Sequence, residues 1–286
     1  MSIAPTVTVG IPVYNASRFL RSAVRSVLNQ TYIDFELIIT DDGSSDHSID
    51  IVREFDDPRI HVLSDGKNLG ISARLNQQID LAKGKYFVRM DADDIMLPDR
   101  LEKQVAYLDA HPDVDVIGGG AIIIDDDNNI IGQRIRSSIK AHTPGSYDYH
   151  FMFIHPTVAG RIAFFRKYHY SDELKGVEDR ELWTRATLDS TMHILPEFVM
   201  AYRDPLTVKL KTYLFRGCQT RRFLKSSRVR ATYSNVLRTK EIAVSYIKGM
   251  IMLSCSLFGL SRIIIARRNT PASHEALMYA EFIKEA

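Results

Sequence analysis

The sequence predicts an α/β fold: a mostly parallel sheet flanked by helices, with a basic helical C-terminal extension. Two observations carry this. Strand-like and helix-like segments alternate through the first hundred residues, which argues for βαβ units around a parallel sheet. After about Pro205 the alternation stops and the chain becomes helical and basic. Composition agrees, since 45% hydrophobic and 25% charged over 286 residues is ordinary globular usage, with length for one large α/β domain or two smaller ones. We place the body at 1–205 and the extension at 206–286. There is no internal repeat and no low-complexity linker.

The elements follow in order. TVTVGIPVY, residues 6–14, is a β-branched run. Ser17 is placed to cap a helix from Arg18 towards Gln30, with Phe19, Leu20, Ala23, Val24, Val27 and Leu28 at helical spacing. FELIITDD is a second strand and SSDHSIDIVREF a second helix; RIHVLS is a third strand, ISARLNQQIDLAKG a helix ending on Gly84, and KYFVRMD a fourth strand. Pro98 stands where the next helix begins, and DRLEKQVAYLDAHP continues it until His111 and Pro112. VDVIGGGAIIID reads as one or two buried strands and DDDNNIIG as a turn before another. Residues 137–149 lack periodicity and read as a loop. EDRELWTRATL has helical spacing from Glu178, followed by strands at MHIL and EFVMAYR.

The net charge of +2 conceals an asymmetry. Residues 203–268 hold fifteen Lys and Arg against Asp204 and Glu241, a local net of +13 that leaves −11 for the rest. One surface is therefore expected to face an anionic partner. GMIMLSCSLFGL, residues 249–260, is apolar, but Lys248 and Arg262 leave thirteen uncharged positions between them, short of the roughly 20 that span a bilayer. It reads either as a helix packed on the body or as one lying in a membrane interface. Cys218 and Cys255 fit neither a disulfide framework nor a zinc site and read as thiols in a reducing cytosol. The N-terminus lacks the pattern of a secretory signal.

Residues 87–100, FVRMDADDIMLPDR, pose the chemical question. An apolar stretch runs into Asp91, Asp93 and Asp94, and like charges so close are costly unless something compensates them. Ligands of open α/β sheets collect at the carboxyl ends of strands, where Asp41 with Asp42, and Asp91 with Asp93, are expected. On an extended strand Asp91 and Asp93 point the same way and converge on one ion, while Ala92 faces the other side. Two hard oxygen donors with open positions suit Mg2+ or Mn2+, which keep waters and accept phosphate oxygens. Taken alone, D-x-D is explained as well by a solvated acidic loop.

The context is more specific. IPVYN in the first strand, DDGSSD after the second, NLGISAR before the third helix and MDADD after the fourth strand occur in this order and at this spacing. Together they resemble family 2 glycosyltransferases, inverting enzymes of the Rossmann-like GT-A fold that use nucleotide-diphosphate sugars. The resemblance covers residues 6 to about 203. It implies that Pro12 and Tyr14 line the nucleobase, that Asp42 receives a base N–H, and that Arg74 lies beside the nucleotide. It also implies that Asp91, Ala92 and Asp93 hold ribose and metal, with Asp91 and Asp93 as the ligands and Asp93 the more direct. Each has a plain alternative: Tyr14 as core, Asp42 as a helix cap, Arg74 as a surface ion-pair partner.

GVEDRELW matches the family's later E-D element, which implies Asp179 as general base and Glu178 as the neighbouring alternative. Acids at these positions also suit a first helical turn. His155 matches a histidine near the acceptor or metal, or else is a structural imidazole. Trp183 reads as core rather than as an acceptor platform, and Asp125, Asp126 and Asp127 as solvated turn residues.

The family's processive synthases carry Q-x-x-R-W and several membrane spans, and this chain shows neither. The resemblance thus implies a single transfer from a nucleotide-diphosphate sugar, a UDP-sugar first, with Mg2+ or Mn2+. The implied acceptor is a saccharide on polyprenyl diphosphate, in bacterial O-antigen, capsule or exopolysaccharide assembly, in the cytoplasm at the inner face of the cytoplasmic membrane. An anionic lipid surface suits the +13 extension, at about 1 kcal/mol per basic residue near it. Two other classes compete. A haloacid-dehalogenase-type phosphotransferase has its D-x-D after the first strand and followed by Thr or Val, whereas here Asp94 follows. A catalytically inactive nucleotide-sugar or membrane-binding module is opposed by Asp42, Asp91, Asp93 and Asp179 together. Nucleic acid is not an expected partner, because charge alone is not specific.

Overall fold

The computed structural model describes residues 4–136, 138, 140–144, 152–204, 209–260 and 268–286. The expected domain boundary at Pro205, the Arg262 that ends the apolar run, and residues 145–149 of the expected loop lie outside them. Strands β1 (Val7–Val13), β2 (Phe35–Asp41), β3 (Ile60–Ser64) and β4 (Tyr86–Arg89) are parallel in the order β3-β2-β1-β4. β1, β2 and β4 are buried almost throughout and read as near-continuous apolar runs because helices cover both faces, whereas β3 at the edge is half-exposed. Leu20, Val24 and Val27 of α1 (Leu20–Leu28) and Leu101 and Val105 of α4 (Arg100–Ala110) pack on one face. Leu75 and Ile79 of α3 (Ile71–Leu81), with Phe164 and Phe165 of α5 (Ile162–Lys167) and Leu182 and Trp183 of α6 (Glu178–Ala186), pack on the other. Each fully buried Leu, Ile or Val contributes about 1.5–3 kcal/mol. The short α2 (Ser48–Arg53) adds Val52 to the first face.

Beyond β4 the sheet is mixed. β9 (Ala159–Arg161) runs antiparallel between β4 and β6 (Val116–Ile124), and β10 (Met192–Arg203) lies parallel to β6. β5 (Ile95–Met96) pairs with β10 at the edge, β7 (Ile130–Arg134) with β6, and β8 (Lys140–His142) with β10.

Several expectations are corrected. Helix α1 starts at Leu20 without a side-chain cap; Ser17 instead donates its N–H to Asp46 Oδ2 (2.9 Å), tying the β1–α1 loop to the β2–α2 turn. Helix α3 stops at Leu81, before Gly84. That glycine is needed for close approach, since a Cβ there would lie 2.5 Å from the Thr8 nitrogen. MHIL and EFVMAYR form one strand, β10, with a register shift between Ile194 and Phe198 around Pro196, where a missing N–H interrupts the ladder. Part of the expected loop is β8.

The extension is docked rather than detached. Helices α7 (Leu210–Leu224), α8 (Ser227–Thr232) and α9 (Asn235–Leu257) are anchored by Phe223, Leu224, Val229 and Tyr233, which pack on Leu174 and Val177 just ahead of α6. On the far half of α9 Met252 is buried, while Met250, Ile251 and Leu257 are exposed, Leu257 by 78%, as is the following Phe258 by 77%. Among the described residues no helix is long and apolar enough to cross a membrane. The last two helices, His274–Leu277 and Ala280–Glu285, return to the body, burying Ala276 and Ile283 beside Ile95, Ile122 and Phe198.

Candidate active site

The carboxyl ends of β1, β2 and β4 open on one cleft, at the point where the strand order reverses on either side of β1. Tyr14 follows β1 and is 56% exposed there, with Pro12 half-buried behind it. After β2, Asp41 accepts the Ser44 N–H (3.0 Å) and the Ser64 hydroxyl (2.9 Å) and so shapes the turn. Gly43 sits at φ +73°, where a Cβ would lie 3.0–3.1 Å from the Lys67–Asn68 backbone. Only glycine fits so tight a left-handed turn.

Asp42 is buried. Its Oδ1 accepts the Leu69 N–H (2.7 Å), the Gly70 N–H (3.0 Å) and Arg74 Nε (3.1 Å), which leaves Oδ2 with one 3.1 Å bond from Gly70. Arg74 is fully buried, not a surface residue, and also donates to Gln77 Oε1, Asp65 Oδ1 and the Lys67 carbonyl. The pair therefore stitches the 65–70 loop to β2, and Arg74 meets protein acceptors on every side.

Strand β4 ends at Arg89, so Asp91–Asp93 lies in a turn and not on extended strand. The turn still brings the carboxylates together: Asp91, Asp93 and Asp94 each offer an oxygen within 4.8 Å of the others. Ala92 packs into the core. Part of the charge compensation comes from the protein itself. Arg89, with a side chain only 3% exposed, forms a bidentate pair with Asp91 (2.8 and 2.5 Å), the strong geometry for such pairs. Arg100, fully buried, donates to the carbonyls of Arg89 (2.9 Å) and Val158 (3.3 Å). Arg203 donates its N–H to Asp94 Oδ1 and its Nε to the Asp93 carbonyl (both 2.8 Å), and its guanidinium lies 4.1 Å over Phe19.

Asp93 is the exception in this frame. Among the described residues no side chain hydrogen-bonds its carboxylate, and burial, then the charge of Asp91, push its pKa up to about 6. Burial, followed by the same like charges, raises buried Asp94 well above the usual range. A pair of hard oxygen donors, one arginine-bound and one without a side-chain partner among the described residues, fits a divalent cation.

Across the cleft, Glu178 and Asp179 open α6. Glu178 accepts the Gly176 N–H (2.5 Å) and Asp179 the Arg180 N–H (2.7 Å). Burial raises both pKa values above the usual carboxylate range. His155 Nε2 shares a 2.8 Å bond with the Tyr170 hydroxyl; burial and then Arg89 hold the imidazole neutral, well below its ordinary pKa. Burial also keeps Tyr170 protonated. The field of one guanidinium, Arg89, reaches Asp91, Asp93, Asp94, His155, Tyr170, Glu178 and Asp179, so the two carboxylate pairs share one site. Trp183 lies in the core, edge-on to Phe153 at 4.9 Å. Asp126 and Asp127 pair with Arg18 at the surface (3.2 and 3.6 Å), and Asp125 bonds its own turn.

Sequence reasoning missed Arg89 and Tyr170. The available signal for Arg89 was a lone cation inside the apolar run FVRMD.

The glycosyl transferase family 2 model matches residues 8–171. An uncharacterised glycosyltransferase of Methanocaldococcus jannaschii is 31% identical over 207 residues, 70% of this chain and 71% of that protein. Staphylococcus aureus TarS 1–349 in complex with UDP-GlcNAc has a similar structure, with a TM-score of 0.61 at 18% identity over 84% of this chain and 71% of that one. So has the mannosyltransferase PcManGT from Pyrobaculum calidifontis in complex with GDP-Man and Mn2+, with a TM-score of 0.61 at 17% identity over 98% and 80% of the two chains. With a GT-A fold, and a family match over more than half its length, this chain is a glycosyltransferase of family 2.

Proposed function

We propose that this enzyme transfers one sugar, with inversion, from a nucleotide-diphosphate sugar, a UDP-sugar first, to a hydroxyl of a saccharide acceptor. The acceptor is carried on polyprenyl diphosphate, in bacterial surface polysaccharide assembly of the O-antigen, capsule or exopolysaccharide type. The observation that carries this reading is the pair of carboxylate clusters, Asp91 with Asp93 and Glu178 with Asp179, joined by the buried Arg89 at the sheet's switch point.

Tyr14 and Pro12 would border the flat base, with Tyr14 stacking on it, and Asp42 Oδ2 would accept a base N–H. Arg74 holds Asp42 from beneath. Asp93, with Asp91 beside it, would hold Mg2+ or Mn2+, which when bound supplies Lewis-acid neutralisation of the diphosphate leaving group. Asp179 accepts the proton of the acceptor hydroxyl while that oxygen attacks the anomeric carbon opposite the diphosphate. A new C–O bond forms as the C–O bond to diphosphate breaks, and an α-linked donor gives a β product. A raised pKa makes Asp179 a stronger base than an ordinary aspartate. Neutral His155 and the Tyr170 hydroxyl wall the site without adding charge.

Membrane association belongs to the same proposal. Tyr246, Met250, Leu253 and Leu257 recur at helical spacing on α9 and are exposed, flanked by the basic residues of α7 and α9, as suits a helix lying on an anionic surface. Replacing Leu257 and Phe258 by Glu is expected to release the protein from anionic vesicles in a sedimentation assay; unchanged sedimentation contradicts it.

The test of the reaction is a panel of nucleotide sugars with a lipid-linked acceptor extract, with and without chelator, followed by linkage analysis. Transfer, with slow chelator-sensitive release of the nucleoside diphosphate when acceptor is omitted, is expected. Release of inorganic phosphate would instead support a phosphotransferase, and no turnover a binding module.

A further inference from the structure

Helices α7 and α9 pack together beside α6 and line a half-open cavity of about 280 Å³. Its wall carries Arg180, Arg216, Arg221, Lys248 and Arg268 against Glu241. Arg221 donates to the Ser245 hydroxyl (3.1 Å) and lies 4.3 Å over the Tyr246 ring, so its position is fixed. Among the described residues Arg216, Lys248 and Arg268 pair with no carboxylate. Five cations around one hollow repel one another, and an anion of more than one charge relieves this.

The glycines point the same way. Gly217 and Gly249 line the hollow from inside α7 and α9, where a glycine costs roughly 0.5–1 kcal/mol relative to Ala. Neither has a positive φ, so the backbone does not demand them. A Cβ at 217 would lie 3.2 Å from Arg221 Nη1, and one at 249 would face Leu214 at 3.7 Å. Their absence keeps the hollow open and Arg221 in place.

The location supplies the function. Arg180 follows Asp179, so the cavity wall begins one residue, about 3.8 Å between Cα atoms, from the proposed base. Further along α9 lie the exposed Met250, Ile251, Leu257 and Phe258. The cavity thus lies between the proposed base on α6 and the exposed apolar residues of α9.

We infer that the α7–α9 cavity binds the diphosphate of a prenyl-diphosphate-linked acceptor and thereby presents its sugar hydroxyl to Asp179. This rests on the acceptor reading above. Guanidinium groups suit phosphate oxygens because they donate in pairs, and the neighbouring apolar face accounts for the lipid.

The full chain is titrated with farnesyl diphosphate in the presence of chelator, which removes the cation that would hold a diphosphate in the donor cleft. Binding is expected, with farnesol at least tenfold weaker. The double variant Arg216→Ala/Lys248→Ala is expected to weaken farnesyl diphosphate binding at least tenfold. Gly249→Leu keeps every charge, favours the helix and fills the hollow, and is expected to do the same; it decides the matter should the double variant fail to fold. Phosphatidylglycerol vesicles lacking prenyl diphosphate are expected to bind wild type and Gly249→Leu alike. Unchanged farnesyl diphosphate affinity in the folded variants overturns the inference. So does a parallel loss of vesicle binding, which would make the cavity part of a general lipid surface. Failure of wild-type enzyme to turn over any nucleotide sugar would sink the transferase reading, and is a separate result from the titration.

Discussion

Asp91 and Asp179 are both aspartates on the rim of one cleft, yet the fold treats their charges differently. Asp91 is clamped by both terminal nitrogens of Arg89, whereas Asp179 accepts backbone N–H groups, that of Arg180 among them, and has a burial-raised pKa. One carboxylate is held in an ion pair while its neighbour Asp93 has no side-chain partner among the described residues. The other is left poised to take up a proton. The same side chain is thus placed in two different environments, and the proposed reaction uses both.

Breaking either arm is expected to produce the largest effects. Asp93→Ala and Asp179→Asn should each lower transfer by at least about two orders of magnitude, the first through loss of the cation site and the second through loss of the base. The two are separated by measuring donor affinity with and without chelator: Asp179→Asn retains chelator sensitivity in donor binding, and Asp93→Ala loses it. Wild-type turnover in either variant contradicts the corresponding role.

Removing the clamp comes next. Arg89→Met leaves Asp91 and its neighbours without their buried partner, and should destabilise the fold by about 3 kcal/mol, the low end for a broken buried pair because Asp91 is a quarter exposed. Urea unfolding measures it, and a loss under about 1 kcal/mol would show that Arg89 is not the structural clamp.

The acceptor arm should reveal itself in pH dependence. A base works ionised, so raising the pKa of Asp179 means that the rate falls as pH drops through a value above the ordinary carboxylate pKa of about 3.9. In a profile at saturating donor this gives an acid limb displaced upward; a limb at the ordinary value contradicts the burial argument. The smallest effect belongs to the third acidic cluster. Asp126→Asn breaks only an exposed pair with Arg18 and should change stability by less than about 1 kcal/mol, with activity intact.

Much of the sheet and of the family was legible because the buried parallel strands leave long apolar runs, and because the loops after them carry Asp42, Asp91 and Asp93 in a distinctive order. What was not legible depends on tertiary closure. The clamp of Asp91 requires knowing that Arg89 is buried, and a cation in a strand gives no such sign by itself. Arg74 reads as a surface arginine until the 65–70 loop folds over it. His155 and Tyr170 meet only because β9 and α5 turn the chain back, and elements of three and six residues are too short to show a period. The docking of the extension rests on Leu174 and Val177, which no pattern within the extension could reveal.

The central claim is that Asp93, backed by Asp91 and Arg89, seats the cation that receives a nucleotide's diphosphate, with Asp179 across the sugar from it. A crystal structure with a UDP-sugar and Mn2+, the ion located by its anomalous scattering, tests it most directly. The account predicts manganese within bonding distance of an Asp93 oxygen and of the diphosphate, with Asp179 on the opposite side of the anomeric carbon. Manganese and diphosphate bound elsewhere, with Asp93 facing only water, would contradict it.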